Sequence, residues 1–132
     1  MKKKIYIIVS WIAVAVCMGI IFFLSAQNGT ESGNTSHWLL DLLRLPVSEA
    51  FLRNAAHFLE FTGLAVLVYN ALYQTCLKPR PFLSLAIASA YAVTDEIHQF
   101  FVPGRALRLF DVCVDSTGSI CGILIIFLIL KN

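Results

Sequence analysis

The chain has 132 residues, 58% of them hydrophobic and only 14% charged, with a mean hydropathy of +0.78. A soluble domain is roughly 45–50% apolar and about 25% charged, so this is the composition of a membrane protein rather than of a water-soluble enzyme. The net charge of +2 is too small to indicate a nucleic-acid partner, and the length suits one domain, residues 1–132.

The first predicted element is a helix over residues 5–24, preceded by Lys2, Lys3 and Lys4. The "LSAQ" after it is loosely like a signal cleavage site. An unbroken apolar run of about 20 residues exceeds the roughly 7–15 of a signal h-region, so a retained transmembrane helix is expected. The next stretch, about 28–52, contains "SHWLLDLLRL". Ser36 is suited to cap a short helix there, with Trp38, Leu39, Leu42 and Leu43 on its apolar side and Asp41 and Arg44 elsewhere. Such a helix either lies in the headgroup layer with Trp38 as anchor or packs over the bundle, and the pattern does not separate the two.

Three more apolar segments follow, over 53–73, 82–101 and 109–130. Ser48 is a candidate N-cap that would begin the first of them earlier. The second opens after "KPRP" and closes before Pro103 and Gly104. Each approaches the roughly 20 residues that cross about 30 Å of hydrocarbon. The expected fold is all-α: a four-transmembrane-helix bundle with a short amphipathic outer-face helix between helices 1 and 2. The four cysteines, Cys17, Cys76, Cys113 and Cys121, form no CxxC pair and read as small buried apolar side chains, not as a disulfide framework or thiolate metal site.

Four spans put both termini on one side. That side carries Lys2, Lys3, Lys4, Lys78, Arg80 and Lys131, against Arg44, Arg53, Arg105 and Arg108 on the other. The positive-inside rule then places both termini in the cytoplasm. All eight acids and all three histidines fall on the opposite, outer side, which is where chemistry is expected.

Three polar patterns converge on that outer end. In "RNAAHFLEF", Arg53, His57 and Glu60 are spaced i, i+4, i+7 and fall within about 60° of one another on a helix. In "TDEIHQF", Asp95 shares a face with Gln99 and with His98, and Glu96 neighbours Gln99. In "FDVCVDSTGSICG", Asp111, Asp115, Gly118 and Gly122 lie along one stripe, and the small residues mark it as the bundle-facing side. Carboxylates on that face need partners, and Arg53, His57 and Arg105 are the candidates. Pro103 and Gly104 reverse the chain so that Arg105 swings back over the site. A purely structural polar network is the plain alternative, but ionisable groups inside a membrane are expensive for architecture alone. A weak divalent ion could draw on His57, Glu60, Asp95, His98 and Asp111, although no standard zinc spacing occurs. A Ser-His-Asp set of Ser25, His57 and Asp111 can be written down without geometry to support it.

These motifs, "RNAAHFLEF" and "DEIHQFFVPGRALRLFDVCVDSTGSICG", with "FLSAQ" after the first helix, resemble the VanZ-like family over about residues 22–122. Carried over, the family's polar positions fall on Ser25, Gln27, Arg53, His57, Glu60, Asp95, Glu96, Gln99, Pro103, Gly104, Arg105, Asp111, Asp115, Gly118 and Gly122. The chain departs from the family pattern at Asn54, where a lysine is frequent, at Phe61, where an aromatic hydroxyl is frequent, and at Asp115, where Asn is frequent. The resemblance implies an integral membrane protein of Gram-positive-type bacteria, in a family whose namesake is associated with low-level teicoplanin resistance. It implies no settled biochemical activity, and the cofactor is left unknown.

The expected function is an outward-facing pocket that binds a lipid-linked or cell-envelope substrate. Ser25, Gln27, Arg53, Glu96, Gln99, Arg105, Asp111 and Asp115 would form the binding set. The arginines would hold an anionic headgroup. The alternative is an intramembrane enzyme acting on an envelope lipid, with His57, Glu60 and Asp95 in acid–base roles. A proton-coupled transporter is a third option, set against the lack of Asp, Glu or His in the inner helix halves. The expected partner is a membrane lipid or lipid-linked cell-wall precursor, with a homo-oligomer also compatible.

Overall fold

The structure is a computed structural model that describes residues 2–44 and 46–131. Five helices follow one another: α1 (Lys2–Ser25), α2 (Gly29–Leu43), α3 (Glu49–Cys76), α4 (Pro81–Phe100) and α5 (Leu109–Lys131). No strand occurs among the described residues.

Local chemistry sets the helix ends. α2 begins well before Ser36, because Asn28 and Glu31 form a capping box. The Glu31 amide donates to the Asn28 side chain at 2.9 Å, and the Asn28 amide donates to the Glu31 carboxylate at 3.3 Å. Two otherwise orphaned donors are thereby satisfied, which outcompetes a later start. Ser36 therefore lies inside the helix, where its hydroxyl donates to the Ser32 carbonyl at 2.9 Å. The cap expected at Ser48 is present, accepting the Phe51 amide at 3.2 Å, so α3 begins four residues before Arg53. Leu77, at φ 55°, ends α3 in the left-handed region. Pro81 opens α4 at the position where its missing N–H costs nothing.

Among the described residues three helices, α1, α3 and α5, are long and apolar enough to cross a membrane. α4 has 20 residues, but Thr94, Asp95, Glu96, His98 and Gln99 crowd its C-terminal end. Large apolar side chains such as Ile12, Val16, Phe23, Leu124, Phe127 and Leu128 are exposed on α1 and α5. An apolar surface of that extent is suited to lipid rather than water.

α3 is the central element. It lies against each of the other four helices, most extensively against α5, and α1 and α5 stand on opposite sides of the α3–α4 pair. The core joins Val14 and Ile21 of α1 to Phe61, Leu64, Ala65, Val68, Ala71 and Leu72 of α3 and to Ala88 and Ala92 of α4. In lipid such helices associate through close packing rather than hydrophobic exclusion, so small residues decide the interface. Gly118 and Gly122 of α5 rest directly on the backbone of α3, and a methyl group at either would collide with the carbonyl oxygens of Phe58 and Thr62 respectively. The Thr62 hydroxyl, close to the Phe58 carbonyl of its own helix, also reaches the Gly118 carbonyl at 3.0 Å. The four cysteines are free; Cys17 and Cys121 are half-buried, whereas Cys76 and Cys113 are exposed rather than buried as expected.

Gly118→Ala should lower the thermal unfolding temperature in detergent, reflecting an overpacking cost of about 1–3 kcal/mol. Gly63→Ala, where nothing lies within 4 Å, should leave it unchanged or raise it. Equal melting of Gly118→Ala and the unaltered protein would contradict the close α3–α5 contact.

Candidate binding site

Apart from Ser10 and Ser84, the buried polar side chains among the described residues collect at one end of the bundle: Ser25, His57, Asp95, Glu96, Gln99, Asp115 and Ser119. Asp95 is 3% exposed, Glu96 1% and Asp115 0%. The helix periods place them there. Asp95 and Gln99 are one turn apart on α4, and Asp115 leads the Gly118–Gly122 stripe of α5 towards α3.

One hydrogen-bonded chain runs through this cluster. The Ser25 hydroxyl donates to Asp95 Oδ2 at 2.7 Å, and Gln99 Nε2 donates to the same oxygen at 3.0 Å and lies 3.3 Å from the Ser25 hydroxyl. With its amide nitrogen so engaged, Gln99 turns its Oε1 towards the chain reversal, where the Arg105 guanidinium donates to it at 2.8 Å. The other arm of Arg105 donates to the Ser32 hydroxyl of α2 at 3.0 Å. Arg105 therefore returns over the site as its place after Pro103–Gly104 indicates, but it grips an amide and a hydroxyl instead of a carboxylate. Gly104, at φ +76°, makes the reversal, and its carbonyl lies where a side chain on Gly29 would have to be. The Gly29 amide donates to the Pro103 carbonyl at 3.1 Å, which ties the turn to the start of α2.

The remaining carboxylates are less well satisfied. Glu96 accepts the Arg108 backbone amide at 3.1 Å through Oε2, while its Oε1 has no partner among the described residues. Asp115 Oδ1 lies 3.5 Å from His57 Nδ1, within ion-pair reach but too long for a hydrogen bond. Neither oxygen of Asp115, nor Asp95 Oδ1, has a donor among the described residues. A buried polar atom costs about 1–3 kcal/mol unless a hydrogen bond from protein or water satisfies it. His98 leaves the cluster: its ring stacks on Phe22 with centroids 4.3 Å apart, away from Asp95.

A cavity of about 190 Å³ opens beside this network, between α1, α2 and α3. Ser25, Gln27, Arg53, His57, Glu60 and Arg105 contribute its polar side; Leu24, Leu39, Leu52 and Ala56 contribute its apolar side. The stripe Arg53–His57–Glu60 read from the sequence therefore faces one space. Asp95 and Asp115 do not line the cavity: Asp95 holds Ser25 through its hydroxyl, and Asp115 lies 3.5 Å from His57. A smaller cleft of about 80 Å³ shares Arg53 and Arg105 with this cavity and is lined also by Gln99, Arg108 and Asp111. Burial first, and then the like charge of Arg53, press the pKa of Arg105 down from the usual guanidinium value. Among the described residues neither Arg53, Arg105 nor Arg108 has a carboxylate oxygen within 4.0 Å. No group of three His, Cys, Asp or Glu side chains is placed to hold a metal ion among the described residues.

Sequence reasoning missed the contribution of α2. Ser32, Thr35, Ser36 and Leu39 line the cavity at spacing i, i+3, i+4, i+7, a helical stripe that the later helix start concealed. Arg108 was placed on the outer side but not in the site, for want of a partner motif. The apolar residues expected to form one side of this helix divide: Leu39 faces the cavity, while Trp38, Leu42 and Leu43 remain exposed.

Comparison with curated proteins and with solved structures gives no match. The VanZ/LLP1 family model matches residues 10–130, nearly the whole chain and every residue of the site. With its apolar helices and this polar cluster at one end of the bundle, the chain belongs to the VanZ/LLP1 family.

Proposed function

We propose that this is a four-span membrane protein with cytoplasmic termini whose outward-facing polar end binds a lipid-linked or cell-envelope molecule with an anionic headgroup. α4 would complete the set of spans, its polar C-terminal end lying at the outer surface with α2 over it. The carrying observation is a cavity whose lining combines Arg53 and Arg105 with Leu24, Leu39 and Leu52. A lining that offers both two arginines and several leucines suits a molecule with a charged head and a hydrocarbon chain. Two features favour this over a structural network: the arginines lack carboxylate partners among the described residues, and Gln99 preorganises Arg105. Low-level teicoplanin resistance, which the family resemblance carries, would follow from an altered envelope surface or altered access of the antibiotic.

A second reading rests on His57. It lines the cavity, and buried Asp115 stands 3.5 Å behind its Nδ1, so that one face of the imidazole meets a ligand and the other a carboxylate. That arrangement could move a proton on a bound lipid. Turnover of an envelope lipid by purified protein, abolished by His57→Ala with the fold intact, is the result that would promote it. Unaltered lipid throughout would remove it.

Protein released from membranes into native mass spectrometry should retain an anionic lipid. Arg53→Gln and Arg105→Gln should each reduce that retention about tenfold, in keeping with the loss of a charge-assisted hydrogen bond. Retention undiminished in both variants would sink the reading. Gln99→Met should reduce retention nearly as much as Arg105→Gln, and the double variant should fall little further, because both changes break one unit. Full additivity would show that Gln99 does not position Arg105.

A further inference from the structure

We propose that the cleft between Arg53, Arg105 and Arg108 is a subsite for a phosphate monoester, carried as the terminal group of a lipid, and that it discriminates against phosphodiester headgroups. This rests on the binding reading above and narrows its substrate class.

The charge count is the first support. Three arginines and one acid, Asp111, line a cleft of about 80 Å³, so the lining itself is net cationic, with buried Asp95 and Glu96 close behind it. That space is several times the about 10–15 Å³ a single water needs, enough for a tetrahedral oxyanion. A phosphate monoester carries about −1.5 to −2 at neutral pH and presents three terminal oxygens; a diester carries a single negative charge and two. The monoester offers these arginines a third terminal oxygen and more negative charge than the diester can.

The placement of the three arms is the second support. Arg105 and Arg108 come from the loop between α4 and α5 and Arg53 from α3, and the first two are fixed. Arg105 is held by Gln99 and Ser32. Arg108 is anchored through its backbone amide on buried Glu96, which leaves its side chain free for the cleft. Arg53 rises from the first turns of α3. Glu96 thereby acquires a role as a positioning residue that its lack of cavity exposure would not suggest. Three arginines lining one cleft offer enough N–H donors for the oxygens of a terminal phosphate.

The third support is continuity. Arg53 and Arg105 line both the cleft and the larger cavity, so a phosphate seated among the arginines lies next to the Leu24–Leu39–Leu52 side, where the first carbons of a chain would run.

The test is calorimetric binding to the full chain in an uncharged detergent, at a pH well above the second phosphate pKa of about 6. The probes are dodecyl phosphate, dodecyl methyl phosphate and inorganic phosphate. Dodecyl phosphate should bind at least about tenfold more tightly than the methyl diester. Arg108→Gln should remove about tenfold of the monoester affinity and leave the diester nearly unchanged, with Arg108→Lys intermediate because it keeps the charge and loses the fork. Helical content of both variants should match the unaltered protein, as expected for an exposed side chain. Equal affinity for monoester and diester would overturn the subsite and leave the broader lipid-binding reading standing. Failure to bind either alkyl phosphate would overturn both. Inorganic phosphate binding as tightly as dodecyl phosphate would uphold the phosphoryl subsite, assign it to free phosphate and overturn the lipid reading.

Discussion

Asp95 is buried at the meeting point of α1 and α4, and its Oδ2 accepts from both Ser25 and Gln99. A carboxylate in that position is tolerable only with donors aimed at it, and the donors used here have consequences beyond Asp95. Committing the Gln99 nitrogen inward turns its oxygen outward, and that oxygen fixes Arg105. Arg105 in turn reaches Ser32, so one short series of hydrogen bonds joins α1, α4, the Pro103–Gly104 turn and α2. The geometry of the cavity follows from this series. Without it α2 would be held at its N-terminal end by the Gly29–Pro103 bond, and at its other end by an exposed His37–Glu49 pair, a weak class of contact.

Packing and polarity divide the molecule lengthwise. The half built on Leu64, Val68, Ala71 and Ala88 is close-packed and apolar, and its buried Ser84 is satisfied by its own helix. The half containing the site keeps partly unsatisfied carboxylates against a cationic rim. The tight α3–α5 contact at Gly118 and Gly122 lies between the two and gives the polar end a firm base. Stability from the packed half can then offset the cost of leaving Asp115 and Glu96 underpartnered. Such local cost is expected where a fold holds charged groups ready for a ligand.

Much of this arrangement is legible in the sequence because helical period and membrane energetics act together. Arg53, His57 and Glu60 repeat on one stripe and do face one cavity; Asp115, Gly118 and Gly122 share a stripe that does face α3. Periodicity tells which residues share a face, but it does not tell which atom meets which. A carboxylate is the expected partner of Arg105, yet its guanidinium meets the Oε1 of Gln99, whose amide nitrogen is engaged by Asp95. His98 shares a face with Asp95 but stacks on Phe22, an interaction between distant segments with no signature in spacing. The start of α2 was misplaced because Ser36 next to an apolar run looked like a cap, while the capping box lay upstream in a polar stretch that reads as loop. That one error hid Ser32, Thr35 and Ser36 from the site.

An experimental structure of the protein carried into a nanodisc with lipid from its own membrane tests the central claim most directly. A headgroup within hydrogen-bond distance of both Arg53 and Arg105, with its chain running along Leu24, Leu39 and Leu52, is the expected result. Arg105 paired directly with Glu60 or Asp111 across a cavity closed by α2 would contradict it, because the arginines would then serve the fold and not a ligand.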